Sequence, residues 1–278
     1  MELLDVKVDF AKARNIITKS NIPGIDYAIN PYIGCQHACI YCYAEFMKRF
    51  TNHSGETWGE FVDVKQFEPK DIEPEKYDDK TILISSVTDP YTPLEVIYKN
   101  TQKVLEHLVG TKANIQILTK SSLVTRDIDL FKEFASIEVG ISLNTLDEEF
   151  AKIIEPRASK PQARLEALKK VAGSGIPTYV FVSPIFPWVS NWREVVESAK
   201  SITGDFRFEN LNFRGHNIPR IMRVIGRLKP ELIDLYEHIR TDSSLWDDIE
   251  QEIVEYCDQV EVKCKIEFHQ GGFTKSKS

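Results

Sequence analysis

Short runs rich in Ile, Val and Phe alternate along most of the chain with stretches in which apolar residues recur every three or four positions. The short runs are typical of strands buried on both faces, and the longer period is typical of helices that cover a sheet. The pattern predicts six strands, at 26–32, 81–85, 114–118, 137–143, 177–182 and 206–212. It predicts five helices between them, at 43–50, 93–109, 126–134, 161–172 and 191–202.

The repeated strand–helix unit predicts the fold class. Units at this spacing form a parallel sheet joined by right-handed crossovers. Six units are too few for the eight-stranded closed barrel, so the sheet must stay open. The sequence therefore predicts an α/β fold, namely a partial (β/α)6 TIM-like barrel.

Two stretches depart from this repeat. Residues 51–79 are polar and rich in Gly and Pro, which predicts a long loop or insertion. Helical pattern dominates 219–260, and a last short strand is predicted at 262–268, before a tail, TKSKS, that we expect to be disordered. These changes predict three parts: an N-terminal segment at 1–24, the barrel core at 25–217, and a mainly helical C-terminal extension at 218–278.

Charge and cysteine content narrow the class of protein. The chain has 278 residues and a net charge of -7, which disfavours a dedicated duplex-DNA binder. The N-terminus lacks the apolar core of a signal peptide, and no apolar run is long enough to span a membrane. The cysteines are odd in number, five, and three of them are clustered, which does not suit a secreted disulfide framework. We expect a cytoplasmic protein in a reducing compartment.

Three of the five cysteines, Cys35, Cys39 and Cys42, fall within eight residues. A zinc site is one interpretation, but it needs a fourth ligand such as His37 or His53, since the other two cysteines lie far downstream. A redox pair of Cys39 and Cys42 would leave Cys35 unexplained.

A [4Fe-4S] cluster on three thiolates is the remaining interpretation. Such a cluster normally takes four cysteines, one for each iron. With three, one iron keeps an open coordination position, and an open position is where a substrate or cofactor binds. The missing fourth cysteine therefore predicts a cluster that binds something.

The spacing Cys-x-x-x-Cys-x-aromatic-Cys, with Tyr41 as the aromatic residue, resembles the motif of radical S-adenosylmethionine (SAM) enzymes. Over residues 25–190 the chain also resembles the spore photoproduct lyase-like branch of DNA repair photolyases. The segments that carry this resemblance are NPYIGC at 30–35, SVTDPYTPLE at 86–95, TKS at 119–121, RD at 126–127, EP at 155–156 and RL at 164–165.

The resemblance implies a chemistry. The open iron would chelate the amino and carboxylate groups of SAM, and a low-potential electron would cleave SAM to methionine and a 5′-deoxyadenosyl radical that abstracts hydrogen from a substrate. The electron donor would be a protein such as flavodoxin or ferredoxin. Cysteines 35, 39 and 42 would be the cluster ligands.

The resemblance also implies contacts for SAM at the carboxyl ends of the strands. The expected contacts are Tyr41 and Tyr43 beside the cluster and adenine, Thr88 and Asp89 at the methionine part, Lys120 at the carboxylate, and Ser142 and Asn144 at the ribose. Ordinary roles compete with each: core packing for the tyrosines, a helix cap for the aspartate, an exposed loop for the lysine and turn chemistry for the last two.

Further residues are weaker candidates. Arg214 and His216 follow the sixth strand and would face the substrate opening, and His269 with residues 270–272 could cover it. Cys257 and Cys264 are expected to pack, with a hydrogen-atom donor or second cluster ligand as the alternative.

One departure from the lyase concerns the substrate. Where the lyase carries the cysteine that returns a hydrogen atom to its product, this chain has Ser85 and Ser86. An O–H bond is far too strong for that donation, so we expect radical chemistry on an unidentified substrate.

Two alternatives remain open. Nucleic-acid lesion repair or modification would be favoured by a basic patch at the barrel mouth, for which the candidates are Lys120, Arg126, Arg157, Lys160, Arg164, Arg214 and Arg220. A non-enzymatic zinc module is the other alternative.

Overall fold

The computed structural model describes residues 6–13, 15–68, 72–242 and 244–269. In these ranges the strands are β1 (Lys7–Lys12), β2 (Ile17–Lys19), β3 (Tyr27–Ile29), β4 (Tyr32–Ile33), β5 (Phe61–Gln66), β6 (Thr81–Ile84), β7 (Asn114–Thr119), β8 (Ile137–Ser142), β9 (Thr178–Ile185), β10 (Asp205–Asn210) and β11 (Lys263–Ile266). The α-helices are α1 (Glu95–Tyr98), α2 (Asn100–Leu108), α3 (Ile128–Phe131), α4 (Glu148–Ile154), α5 (Pro161–Gly173), α6 (Trp192–Ala199), α7 (Ile218–Leu228), α8 (Ile233–Thr241) and α9 (Ser244–Gln259). Short 3₁₀ helices cover Tyr43–Phe50, Pro74–Tyr77, Ser122–Asp127 and Pro230–Leu232.

The main sheet is the open parallel arrangement that the strand–helix repeat predicts. Its order is β11-β10-β9-β8-β7-β6-β3-β2. Every neighbouring pair from β3 to β11 is parallel, and β2 runs antiparallel to β3 at the edge. Because the strands share one direction, their carboxyl ends meet at one side of the sheet, where barrel-like folds place their active sites.

Apolar strand residues form the core beneath that side. Ile84, Ile117 and Val139 have no exposed surface, and they pack in one continuous cluster with residues of the covering helices. Full burial of each such side chain contributes about 1.5–3 kcal/mol. The core is therefore the rigid support on which the strand ends are carried.

The strand predicted at 26–32 is wrong in its length, because it is split between two sheets. β3 ends at Ile29, and β4 begins at Tyr32 and pairs with β5 instead. Pro31 lies at the break, and it has no N–H to donate to a strand ladder.

The long loop predicted at 51–79 is also wrong, because it contains a strand. β5 joins β1 and β4 in a separate sheet of order β1-β5-β4. The polar composition hid it, because β1 and β5 alternate charged with apolar residues. β5 pairs with β1 more than fifty residues away and with β4 about thirty residues away. Pairing, not local propensity, makes these strands.

Three helix predictions are corrected in detail. The segment 43–50 is a 3₁₀ helix, and 126–134 is covered by a 3₁₀ turn followed by the single turn α3. The helix predicted at 93–109 is broken at Lys99, whose φ is 53°. Buried Glu95 explains the break, since its carboxylate accepts hydrogen bonds from the first backbone N–H groups of α2, at Thr101 and Gln102. α4 was missed.

The C-terminal part carries helices α7 to α9 and a last strand, as the pattern predicts. That strand, β11, adds a seventh parallel strand to the sheet by pairing with β10. The predicted tail at 274–278 and residues 270–272 lie outside the described residues. No helix in the described part of the chain is long and apolar enough to cross a membrane.

Candidate active site

A cavity of about 280 Å³ opens at the carboxyl ends of strands β6 to β10. The predicted site residues that line it are Cys35, Cys39, Cys42, Tyr41, Tyr43, Thr88, Asp89, Lys120 and Ser142. The structure therefore brings together nine of the ten predicted residues, from four separate stretches of sequence. The tenth, Asn144, is buried near β8 without lining the cavity, and both polar atoms of its side chain lack a partner among the described residues.

The cysteine loop, residues 34–42, is fastened to the turn after β6. Thr88 Oγ1 donates to the carbonyl of Gly34 (2.7 Å), and Thr92 Oγ1 accepts from the backbone N–H of Gln36 (3.1 Å). The Gln36 side chain completes the link by accepting from the backbone N–H of Leu94 (2.7 Å). Each bond joins groups more than fifty residues apart in sequence, so the loop is held by the fold rather than by its own turns.

Two other segments hold the far side of the cysteine loop. Ile40 N–H donates to the carbonyl of Ile154 at the end of α4 (2.9 Å). Asn217 and Arg220, at the start of α7, donate to the carbonyls of Tyr41 (2.9 Å) and Ile40 (3.2 Å). Backbone carbonyls that are paired in this way point away from the cavity, which leaves the side chains of the loop to line it.

Gly34 shows why the cysteine loop begins with glycine. Its φ is 88°, and a Cβ at this position would lie 2.5 Å from the carbonyl oxygen of Phe61. Any other residue would combine a left-handed backbone with a steric clash. Glycine is required here for the loop to pass close to β5.

The three thiols fit a multinuclear cluster better than a single ion. Two sulfurs bound to one zinc lie about 3.8 Å apart. Among the residues that the structure describes, the three cysteines do not form a group whose ligand atoms all lie within 4.8 Å. Of the two histidines that zinc would recruit, His53 forms a hydrogen bond of 2.7 Å with Asp63. His37 lines the cavity, and its Nδ1 lies 3.4 Å from Asp89 without a hydrogen bond in the described residues.

The surroundings of the thiols also suit a cluster. Burial raises the pKa of Cys35 and of Cys42 to about 12, and it raises that of Cys39 further. Trp58 packs with Cys35 and Cys42, and its buried indole N–H has no oxygen or nitrogen partner in the described residues. That N–H lowers the pKa of Cys42, though less than burial raises it. A donor directed at sulfur is the environment that iron–sulfur ligands use.

A buried network lies behind the cluster motif. The Tyr41 hydroxyl donates to Glu155, which pairs with the guanidinium of Arg164. Arg164 also donates to the carbonyl of Ser142 at the end of β8 (3.0 Å). Burial alone would raise the pKa of Glu155, but the charges of Arg164 and Lys120 outweigh it and lower that pKa. The network connects the cysteine loop to a neighbouring strand end through satisfied charges.

Asp89 and Lys120 form the next part of the cavity. Asp89 accepts from Thr119 Oγ1 (2.6 Å) and from the backbone N–H of Lys120 (2.8 Å). Burial would raise the pKa of Asp89, but His37 and these hydrogen bonds lower it to about 2. The Lys120 ammonium lies 5.8 Å from the centre of the Tyr41 ring. Asp89 is thus ionised and supports the turn at residues 119–120. Lys120 places a positive charge beside the cysteine loop.

The serines after β6 complete this side. The Tyr43 hydroxyl donates to the Ser86 carbonyl, and Asn30 Oδ1 accepts from the backbone N–H of Ser86 (2.8 Å). Ser85 has a φ of 70°, and its buried hydroxyl lacks a partner among the described residues. Together the cysteine loop, Thr88, Asp89 and Lys120 form what we call the cofactor wall.

The side of the cavity opposite the cofactor wall, which we call the rear wall, was mostly not predicted from the sequence. It consists of Ser183, Glu209 and His269. The Ser183 hydroxyl donates to Glu209, whose other carboxylate oxygen lies 2.7 Å from His269 Nε2. This contact with Glu209 raises the pKa of His269 above its ordinary value. His269 was a weak candidate; the other two lie at the carboxyl ends of β9 and β10, a signal that could have identified both.

Other candidates fall outside the cavity. Neither Arg214 nor His216 lines it as the described residues form it, and His216 Nε2 instead lies 3.0 Å from the Cys42 carbonyl. Cys257 and Cys264 do not line it either, and they pack in the main core.

The basic patch at the barrel mouth, which would have favoured a nucleic-acid substrate, does not form as a surface of free charges. Four of its seven residues are ion-paired: Arg126 with Glu95 and Asp127, Lys160 with Glu148, Arg164 with Glu155, and Arg220 with Glu45. Arg157 donates to the Gly59 carbonyl (2.6 Å). Lys120 is the member that lines the cavity.

Comparison with known sequences gives a family match. A family model described as the Radical SAM superfamily matches residues 29–202. An uncharacterized protein of Methanocaldococcus jannaschii is 42% identical over 203 residues, which cover 73% of this chain and 77% of that protein. A radical SAM Nalpha-GlyT isomerase of Pseudomonas phage M6 is 31% identical over 105 residues, 38% of this chain and 22% of the isomerase.

Comparison with solved structures gives the same fold. Spore photoproduct lyase complexed with dinucleoside spore photoproduct aligns with a TM-score of 0.70 and 20% identity over 94% of this chain and 82% of the lyase. A mutant of that lyase with bound AdoMet and the same dinucleoside aligns with a TM-score of 0.67 and 19% identity, over 95% and 82% of the two chains. The predicted partial barrel is confirmed.

Proposed function

The chain belongs to the radical SAM superfamily, and from that premise we propose that Cys35, Cys39 and Cys42 hold the [4Fe-4S] cluster that the family uses. The observation that carries this proposal is that the three thiols line a single cavity with polar strand ends. When bound, the cluster and SAM supply a 5′-deoxyadenosyl radical that removes hydrogen from a substrate.

The residues of the cofactor wall would orient SAM. We propose that Lys120 attracts its carboxylate, that Thr88 and Asp89 shape the methionine pocket, and that Ser142 lies at the ribose. Asp89 acts by holding the backbone of residues 119–120, because its oxygens already accept from that turn. Tyr41 and Tyr43 pack beside the cysteines, and their hydroxyls are engaged by Glu155 and the Ser86 carbonyl.

The test begins with anaerobic reconstitution. The protein is loaded with iron and sulfide, the two elements are counted, and SAM is added with dithionite. About four irons for each chain together with 5′-deoxyadenosine would support the proposal. One zinc for each chain, with intact SAM, would overturn it in favour of a zinc module.

A surface next to the cluster motif suits an electron donor. On the 3₁₀ helix Tyr43–Phe50, Phe46 and Phe50 are exposed, and the Arg49 guanidinium lies 5.1 Å and 5.3 Å from the centres of their rings. An apolar and basic surface complements an acidic carrier such as flavodoxin or ferredoxin.

The docking surface is tested by changing the reductant. Arg49→Glu should slow 5′-deoxyadenosine formation when reduced flavodoxin is the donor and leave it unchanged with dithionite. Arg227→Glu, on α7, is the matched control. Equal rates for Arg49→Glu and Arg227→Glu with flavodoxin would contradict this docking surface.

Nucleic acid is the second candidate substrate. The favouring observation is the similarity to a lyase whose solved structure is complexed with a dinucleoside photoproduct. The ion-paired arginines and the net charge of -7 weigh against it. Binding to single-stranded DNA that weakens with salt would support it, because phosphate contacts release counterions.

A further inference from the structure

Three metal-binding side chains converge outside the cavity, on the small sheet. Asp9 of β1 and Asp63 of β5 are register partners on neighbouring parallel strands. His53 Nε2 lies 2.7 Å from Asp63 Oδ1 and 3.3 Å from Asp9 Oδ2. All three ligand atoms lie within 4.8 Å of one another. Strand pairing therefore places two carboxylates and an imidazole nitrogen around one point.

This arrangement needs a positive charge. Like charges side by side on adjacent strands are destabilising. The Asp63 side chain is 10% exposed and that of His53 is 1% exposed, so water cannot offset the repulsion fully. The Lys7 ammonium is close enough to both carboxylates to offset part of this repulsion, and a cation bound between them would offset the rest.

The orientation of His53 favours a cation. Its ring stacks on Phe61, with centroids 4.4 Å apart and planes 19° apart. Its second nitrogen, Nδ1, lies 3.4 Å from Glu56 Oε1, and Lys7 holds Glu56 at 2.8 Å. A histidine that binds a metal through one nitrogen almost always directs the other at a carboxylate or carbonyl. His53 presents Nε2 to the two aspartates, and its Nδ1 faces Glu56 at 3.4 Å without a hydrogen bond in the described residues.

We propose that Asp9, His53 and Asp63 bind one divalent cation of the class that takes nitrogen and oxygen ligands, such as Mn²⁺ or Zn²⁺. Ligand atoms around such an ion lie about 3.0–3.4 Å apart, so the 3.3 Å between His53 and Asp9 already fits and the 2.7 Å between His53 and Asp63 would have to widen. Asp9 is half exposed, which lets water complete the coordination.

The site has a consequence for the cysteine loop. Phe61, on which His53 stacks, packs with Cys35 and Trp58. A cation would therefore tie β1, β5 and the 53–56 turn together behind the cluster motif. This inference goes beyond the proposed function and does not depend on it.

Mn²⁺ is the probe, and its binding is measured by electron paramagnetic resonance. The full chain is used after anaerobic cluster reconstitution, so that the cysteines are engaged. We expect one Mn²⁺ for each chain, displaced by Zn²⁺, and a raised unfolding midpoint. Asp9→Asn, at a half-exposed position that does not threaten folding, should weaken binding at least tenfold. Glu56→Gln should weaken it about 10-fold to 100-fold.

Asp129→Asn is the matched control, because it removes an exposed carboxylate on α3 and should bind Mn²⁺ as the unchanged chain does. The proposal is overturned if neither Mn²⁺ nor Zn²⁺ saturates at one ion for each chain. It is also overturned if Asp9→Asn binds like the control. The three side chains would then be a hydrogen-bonded cluster that holds no metal.

Discussion

The two walls of the cavity are built differently. In the cofactor wall the supporting charges are sealed: the Asp89 side chain is 9% exposed, and Glu155 behind it is fully buried. In the rear wall Glu209 and His269 are 23% and 29% exposed. The cofactor wall also lies within the family match at 29–202, whereas Glu209 and His269 follow it.

This difference indicates a division of labour. Buried, satisfied charges do not reorganise easily, which suits a wall that must hold one cofactor in one position. Partly exposed groups exchange partners at lower cost, which suits a wall that meets a substrate. Four changes test this contrast, from the largest expected effect to the smallest.

Cys39→Ala should abolish cluster binding and all SAM cleavage, because two thiolates cannot hold the cluster that three hold. Iron content and 5′-deoxyadenosine formation measure the loss. Cys264→Ala, at a thiol outside the cavity, is the control and should keep both. Full iron and activity in Cys39→Ala would refute the ligand assignment.

Glu155→Gln should lower the free energy of unfolding by about 3–5 kcal/mol, because it leaves the buried Arg164 charge without its partner. Urea denaturation of the cluster-free protein measures the loss. Glu148→Gln removes an exposed pair with Lys160 and should cost about 0–1 kcal/mol. Equal losses for the two variants would show that the network behind the cofactor wall is not rigid.

Glu209→Gln should change the pKa of His269 more than it changes the free energy of unfolding. Its carboxylate raises the pKa of His269, so the substitution should move that pKa back toward 6.5. In the native chain the raised pKa stabilises the fold below the unfolded pKa, and this contribution is lost as the pH rises through the folded pKa. NMR titration of labelled histidine measures the shift, with Glu237→Gln as control. An unchanged His269 pKa would contradict the rear-wall contact.

Ser86→Cys should have the smallest effect. It supplies a thiol in the cavity, but it changes no residue of the rear wall that would recognise a substrate. Thymine recovery from a photoproduct dimer is expected to stay at background, with little change in unfolding, since the backbone contacts of Ser86 remain. Robust thymine recovery would show that the missing thiol alone separates this chain from the lyase.

The parallel sheet was predictable because most of its strands are short segments rich in Ile, Val and Phe that recur between helical patterns. Ile82, Ile117 and Val139, which the pattern places in strands, are all buried. The cofactor wall followed from a motif with defined spacing and from the rule that sites lie at carboxyl strand ends. The nine lining residues were named from the resemblance to a known family, which itself rests on the cysteine spacing and on short motifs along the chain.

The remaining features depend on pairing between distant segments. β1 and β5 alternate apolar residues with Asp9, Asp63 and Lys65, a strand-like pattern that is short and lies in polar surroundings, so it was not recognised. Arg164 was expected in a basic patch, whereas burial and Glu155 place it behind the cavity. Ser183 lies beyond the predicted end of its strand, because the chain stays extended to Ile185.

The hydrogen bonds from α7 to the cysteine loop have a consequence for synthesis. Arg220 and the Ile40 carbonyl to which it donates are separated by 180 positions. At translation rates of roughly 5–20 residues per second, that interval lasts roughly ten to forty seconds. During this interval the three thiols have left the ribosome, but the contacts that close their loop have not yet formed. The cysteines are therefore synthesised well before the segment that completes their site.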